Sequence, residues 1–157
     1  MPGDAMASSN PAVQALVDRT EIHDALARYA HGVDRRDWPL VRSAYHPDAY
    51  DDHGDYKGGV EGLLEWLSRR FAAVNHSTHF VGNILIEFRG ADEALVESSF
   101  LTSRRVNDGM CRQSSGRYLD QFERRGGEWR IARRTVRVET VYGVATSDIP
   151  GPQRSEP

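Results

Sequence analysis

The stretch THFVGNILIEF at residues 78–88, followed across Arg89-Gly90-Ala91-Asp92 by ALVESSFLTSRRV at 94–106, decides how this chain folds. Both runs are rich in apolar and β-branched residues, and a short Gly- and Asp-containing segment separates them, which is the pattern of a hairpin. Two further runs, 111–123 and 128–141, follow across Asn107-Asp108-Gly109 and Arg125-Gly126-Gly127. Four long consecutive antiparallel strands are therefore predicted. Upstream the period is helical: Ile22, Leu26, Tyr29 and Val33 fall on one face. Asn10-Pro11 is an N-cap followed by an N1 proline, and Asp18 with Glu21 has capping-box spacing, so this region reads as one kinked helix or two. A short helix opens at Asp37-Trp38-Pro39 and ends near Tyr45, and His46-Pro47-Asp48 reads as a turn before a short strand at 49–53. Val60, Leu63, Leu64, Leu67, Phe71 and Val74 mark a third amphipathic helix. Helices first and strands second imply an α+β fold, one sheet packed around the helices with a ligand cavity between them.

Composition narrows the function classes. The chain has 157 residues, of which 39% are hydrophobic and 27% charged, enough for one domain with a sizeable core. Its 20 basic and 23 acidic residues are scattered, with no basic block to neutralise a row of phosphates, so nucleic acid is not expected as a partner. Cys111 is the only cysteine, which excludes an intrachain disulfide and a thiolate-rich zinc site and points to a cytoplasmic setting. Residues 1–10 lack the basic and apolar regions of a signal peptide, and no apolar run approaches the roughly 20 residues of a membrane span. Residues 1–9 and 145–157 offer little to bury and read as mobile termini around a domain at 10–144.

Asp34 and His79 carry the candidate chemistry. Asp34 lies at the end of the helix that holds Tyr29, where the macrodipole disfavours a carboxylate, and a nearby imidazolium would offset that cost. An imidazole held through one ring nitrogen by a carboxylate presents the other as a general base, and needs neither metal nor nucleotide. Asp51, Asp52, His53 and Asp55 crowd together, yet no comparable metal-ligand spacing accompanies them, and the turn reading of Asp52 and Asp55 is better. Asp51 and His53 are two residues apart and share a strand face. Cys111 has nothing in sequence to activate it as a nucleophile.

The runs Tyr29-Ala30-His31-Gly32-Val33-Asp34-Arg35-Arg36-Asp37-Trp38, His46-Pro47-Asp48-Ala49, Thr78-His79-Phe80-Val81-Gly82-Asn83, Gly116-Arg117-Tyr118 and Trp129-Arg130-Ile131-Ala132 resemble the SnoaL-like branch of the nuclear transport factor-like superfamily. The resemblance spans roughly residues 17–141 and is nearest in pattern to hexachlorocyclohexane dehydrochlorinase, bile-acid dehydratase and scytalone dehydratase. It implies a cone-shaped α+β barrel, a curved and mostly antiparallel sheet wrapped around the N-terminal helices with an internal pocket. It also implies a catalytic set of Asp34, His79, Arg134 and Tyr29, and pocket-facing positions at Tyr118, Phe100 and Thr102; Asp51, His53 and Trp38 complete the expected substrate-binding set. Asp51 stands where the dehydrochlorinase pattern has a pocket tryptophan, and Thr102 where the bile-acid dehydratase pattern has a second acid.

The expected function is a cofactor-independent lyase of dehydratase or dehydrohalogenase type acting on a small, largely apolar molecule through an Asp–His base. Proton-transfer isomerisation uses the same pair. A non-catalytic small-ligand-binding module and an accessory subunit of a ring-hydroxylating oxygenase are the other readings of this fold. The open face of long hairpins suggests a homo-oligomer, dimer or trimer.

Overall fold

A computed structural model describes residues 10–148. Its elements run α1 (Pro11–Arg35), α2 (Trp38–Ser43), β1 (Tyr45–Asp52), β2 (Lys57–Gly59), α3 (Val60–Phe71), β3 (Val74–Phe88), β4 (Glu93–Val106), β5 (Met110–Arg125) and β6 (Glu128–Ala145), then a single 3₁₀ turn, Thr146–Asp148. Residues 1–9 and 149–157, the bulk of the two expected mobile termini, lie outside the described residues. No helix among the described residues is long and apolar enough to cross a membrane.

The cone-shaped barrel expected from the resemblance does not form. The six strands make one open sheet in the order β2-β1-β6-β5-β4-β3, so β2 and β3 are its free edges and never pair. Nor is the sheet wholly antiparallel, because β1 runs parallel to β6. Closure would require β3, fifteen residues long, to pair with the three-residue β2. The second edge offers too little backbone for that ladder, and the helices fill the space against the sheet instead.

The first helix is continuous. Asn10 caps it, its side chain accepting from the Ala12 N–H at 3.0 Å, and Pro11 occupies the first turn. Asp18 is not a cap. Its carboxylate accepts from Trp129 Nε1 at 3.0 Å, from Arg124 at 3.0 Å and from Gln14 at 2.9 Å, tying the helix to β5 and β6. Asp37 does cap α2, accepting from the Leu40 N–H at 3.0 Å. His46-Pro47-Asp48, expected as a turn, lies inside β1, and the pairing of β1 with β6 skips between Tyr45 and Tyr50 there because proline offers no N–H to a ladder. Val74 opens β3 rather than closing α3.

Ile22, Ala25, Leu26, Tyr29 and Val33 of α1 and Leu63, Leu64, Leu67 and Phe71 of α3 are buried against one face of the sheet. The other face leaves Phe80, Leu85, Leu101 and Val141 exposed by half or more. Three irregularities decide which strand residues reach the covered face. In β3, Asn83 adopts φ of +49° and the pairing shifts between Gly82 and Leu85, so Ser77, His79 and Val81 precede it on the same side that Ile84 and Ile86 occupy after it. In β6 the pairing jumps across Ala132, which puts Arg134 on the side of Trp129 and Ile131. It jumps again at Glu139, opposite Gly116. A Cβ on Gly116 would lie 1.9 Å from the Arg137 carbonyl oxygen and 2.8 Å from the Phe100 ring, so only glycine fits the second bulge.

Gly116→Ala is accordingly expected to destabilise the fold by about 1–3 kcal/mol, the range for overpacking a filled interior. Denaturant midpoints at constant m-value would show it.

Candidate active site

Three local features bring Asp34 to β3. The C-terminal end of α1 is closed by Arg36 in a left-handed conformation, φ +57°, with Asp37 N–H returning to the Gly32 carbonyl at 2.8 Å. A Cβ on Gly32 would come within 2.7 Å of a Val41 methyl, so its absence lets α2 lie against this last turn. The Arg36 guanidinium then donates to the carbonyls of Phe71, at 3.2 Å, and Val74, clamping the helix end to the start of β3.

The Asp34 carboxylate accepts three hydrogen bonds from that strand. Oδ1 accepts from Ser77 Oγ at 2.9 Å and from His79 Nδ1 at 2.6 Å, and Oδ2 accepts from the His79 backbone N–H at 2.8 Å. With Nδ1–H committed to a carboxylate, Nε2 of His79 is the free lone pair of the neutral ring. Burial works to raise the Asp34 pKa, but the bonds from His79 and Ser77 outweigh it and hold the carboxyl below its ordinary 3.8.

A second carboxylate–imidazole pair stands nearby. His53 Nδ1 lies 2.6 Å from Asp51 Oδ1, and Tyr45 donates to Asp51 Oδ2 at 2.7 Å. Asp51 is fully buried and His53 partly buried. The Tyr29 hydroxyl is 3.2 Å from His53 Nε2, and its ring also meets His79 edge-on with centroids 6.5 Å apart. Tyr29 therefore sits between the two histidines. Burial raises its pKa, as it does that of Tyr45, so both hydroxyls stay protonated as donors.

His53, His79 and Tyr29 line one cavity of about 80 Å³ between α3 and the sheet, together with Phe100, Thr102 and Tyr118. Asp51 stands behind His53, and Trp38 packs at the edge of the core away from the cavity. Arg134 does not line it either. It is fully buried, donating through Nε and Nη2 to both Asp120 oxygens at 2.7 and 2.6 Å, with its guanidinium 4.4 Å from the Tyr29 ring centroid and 4.1 Å from that of Tyr118. Burial opposes the charge on Arg134, and the Asp120 carboxylate more than offsets it, so its pKa is raised. The guanidinium supports the two tyrosine rings from behind.

Sequence reasoning missed Arg70, Arg104 and Ser114 on the cavity wall. Arg104 continues the alternation Phe100, Thr102, Arg104 on one face of β4, and Ser114 pairs across to Thr102. That alternation from Phe100 and Thr102 was the available signal. Among the described residues no group of three or more His, Cys, Asp or Glu side chains could hold a metal ion.

A match to the SnoaL-like domain covers residues 14–135, which contains both carboxylate–imidazole pairs. The chain belongs to the SnoaL-like family. Its relatives include an uncharacterised protein of Mycobacterium tuberculosis, 28% identical over 127 residues that cover 78% of this chain and 86% of the relative. Hexachlorocyclohexane dehydrochlorinase 1 of Sphingobium indicum is 29% identical over 125 residues, covering 75% of this chain and 79% of that one. The crystal structure of a type 2 hexachlorocyclohexane dehydrochlorinase superposes with a TM-score of 0.81 at 22% identity, covering 90% of this chain and 99% of that one. At that identity the likeness is one of fold. The family resemblance read from sequence is thus borne out, whereas the closed barrel attached to it is not.

The lowered pKa of Asp34 fixes a pH dependence. A carboxyl whose native value lies below its unfolded one contributes stability above the unfolded value, and that contribution disappears as pH falls through the native one. Asp34→Asn is expected to be less stable than the parent at neutral pH, with the gap closing as the pH drops below 3.8. Denaturant midpoints for the two proteins between about pH 7 and pH 3 would check it.

Proposed function

We propose that this SnoaL-like protein is a cofactor-independent lyase that removes water or hydrogen halide from a small, largely apolar molecule. The observation that carries the reading is the Asp34–His79 pair, bonded at 2.6 Å, with the His79 ring on the wall of the cavity. The dehydrochlorinase relative supports it by its named activity.

In the proposed step His79 Nε2 takes a proton from a substrate carbon, and Asp34 stabilises the imidazolium that forms. The C–H electron pair becomes the new carbon–carbon π bond as the bond to the leaving group breaks. A departing hydroxide recovers the proton from His79 and leaves as water, whereas a halide leaves as the anion and His79 then releases its proton to solvent. The single O–H of Tyr29 turns from His53 Nε2 to the leaving group, and His53 draws its orientation from Asp51. Arg134 acts as a positioning residue through the rings of Tyr29 and Tyr118. Proton-transfer isomerisation would use the same base and differ only in where the proton returns.

His79→Gln keeps a donor near Asp34 but removes the base, and it is expected to lower turnover by about 10²–10⁴-fold. His53→Gln is expected to cost less, since it leaves the base intact. The assay is halide release from hexachlorocyclohexane together with water loss from a panel of hydroxylated alicyclic compounds. A His79→Gln protein that turns over any of these as fast as the parent would sink the lyase reading. Substrates that bind the cavity unchanged would favour the binding-module reading instead.

A further inference from the structure

Arg104 has no counter-ion among the described residues. Its cross-strand neighbour on β5 is Arg112, and its Nε is buried without a hydrogen-bond partner. Its guanidinium lies 6.0 Å from the Phe71 ring centroid, on the cavity wall. Burial pushes its pKa down, and the charges of Arg70 and Arg112 push it the same way. A half-buried charge beside like charges is destabilising, and the Phe71 ring, at the far limit of cation–π distance, offsets only part of that cost.

The rest of the wall is as short of negative charge. None of the residues lining the cavity is Asp or Glu, and the other arginine, Arg70, lies over the Trp66 ring at 5.0 Å and reaches the exposed Asp55 at 3.8 Å. Thr102 and Ser114 share one hydrogen bond of 2.6 Å, which uses one of their two hydroxyl hydrogens and leaves the other to donate. Register places these groups in two adjacent rows across the sheet. His79 pairs with Thr102 and Thr102 with Ser114 in one row, and Ser77 pairs with Arg104 and Arg104 with Arg112 in the next. Successive rows on one face are roughly 7 Å apart, a gap that a carboxylate and its neighbouring carbon span between two side chains.

We propose that Arg104, with the spare hydroxyl of the Thr102–Ser114 pair, is an oxyanion site, and that the substrate carries a carboxylate next to the carbon that His79 deprotonates. The identification of that carbon rests on the lyase reading; the anion binding does not. The free ligand supplies the missing counter-charge. As the proton moves to His79 Nε2, the negative charge that spreads onto the carboxylate oxygens meets a guanidinium in a low-dielectric wall, where such a donor acts most strongly. The electron pair then forms the new carbon–carbon π bond, and the negative charge departs with the leaving group. A cavity of about 80 Å³ takes this headgroup, and the remainder of the ligand extends toward the mouth near the half-exposed Arg70.

Acetate and benzoate, each against its uncharged amide, are the probes, titrated into the full chain by NMR or calorimetry. Carboxylates are expected to bind about tenfold or more tighter than acetamide and benzamide, a difference of roughly 1.4 kcal/mol. Arg104→Gln is expected to abolish the preference and to raise Tm by about 2–4 °C, because the uncompensated charge is gone. Arg104→Lys is expected to retain part of the preference, and Arg105→Gln, on the exposed side of the same strand, all of it. Equal affinity for acid and amide, a preference that survives Arg104→Gln, or a fall in Tm in that variant would overturn the proposal. Turnover that survives His79→Gln would instead sink the lyase reading and leave the anion site standing.

Discussion

The joint between the last turn of α1 and the first residues of β3 is what the rest of the structure depends on. A carboxylate at a helix C-terminus opposes the macrodipole, and Asp34 is tolerated there because Ser77 and the ring and backbone of His79 all donate to it. Arg36 reinforces the same joint through the Phe71 and Val74 carbonyls, so one helix end fixes where α3 stops and where β3 starts. Because Asp34 binds both the backbone and the imidazole of one residue, the ring can take only one tautomer and one orientation. Structural and chemical roles are thereby carried by the same oxygens.

Behind the cavity lies a second constraint, the buried Arg134–Asp120 pair. Removing either partner would strand a charge in the interior, a loss larger than the net worth of the intact pair. Tyr45 and Tyr29, whose rings it also faces, form with Asp51 and His53 a continuous polar path from one tyrosine to the other. Hydrogen bonds in such a path fix rotamers more than they add stability. The arrangement thus gives one cavity two histidines whose ring orientations are set by separate carboxylates.

Arg104 stands in contrast to Arg134. Both are arginines on the covered face of the sheet, but Arg134 is bonded to both oxygens of Asp120, whereas Arg104 has no carboxylate partner among the described residues. Buried charge is paired when it serves the fold. A guanidinium left unpaired on a cavity wall is therefore the kind of local inconsistency expected where a ligand completes the site.

The helices, the hairpin order and the family were legible in the sequence, because the periods of 3.6 and 2 and the Gly-containing turns are local properties of the chain. So were the identities of Asp34 and His79 as a pair worth testing. The closed barrel was not a local property and did not follow; whether two sheet edges meet depends on their lengths and on what fills the space between them, and β2 is only three residues long. The facing of individual side chains was equally out of reach. Strict alternation from Trp129 and Ile131 would turn Arg133 inward, and one extra residue at Ala132 turns in Arg134 instead. The composition thus determined which elements form and which chemistry is at hand. Only tertiary structure decided which side chains share the cavity, since a bulge exchanges the two faces of a strand and pairing with its neighbour is what places the bulge.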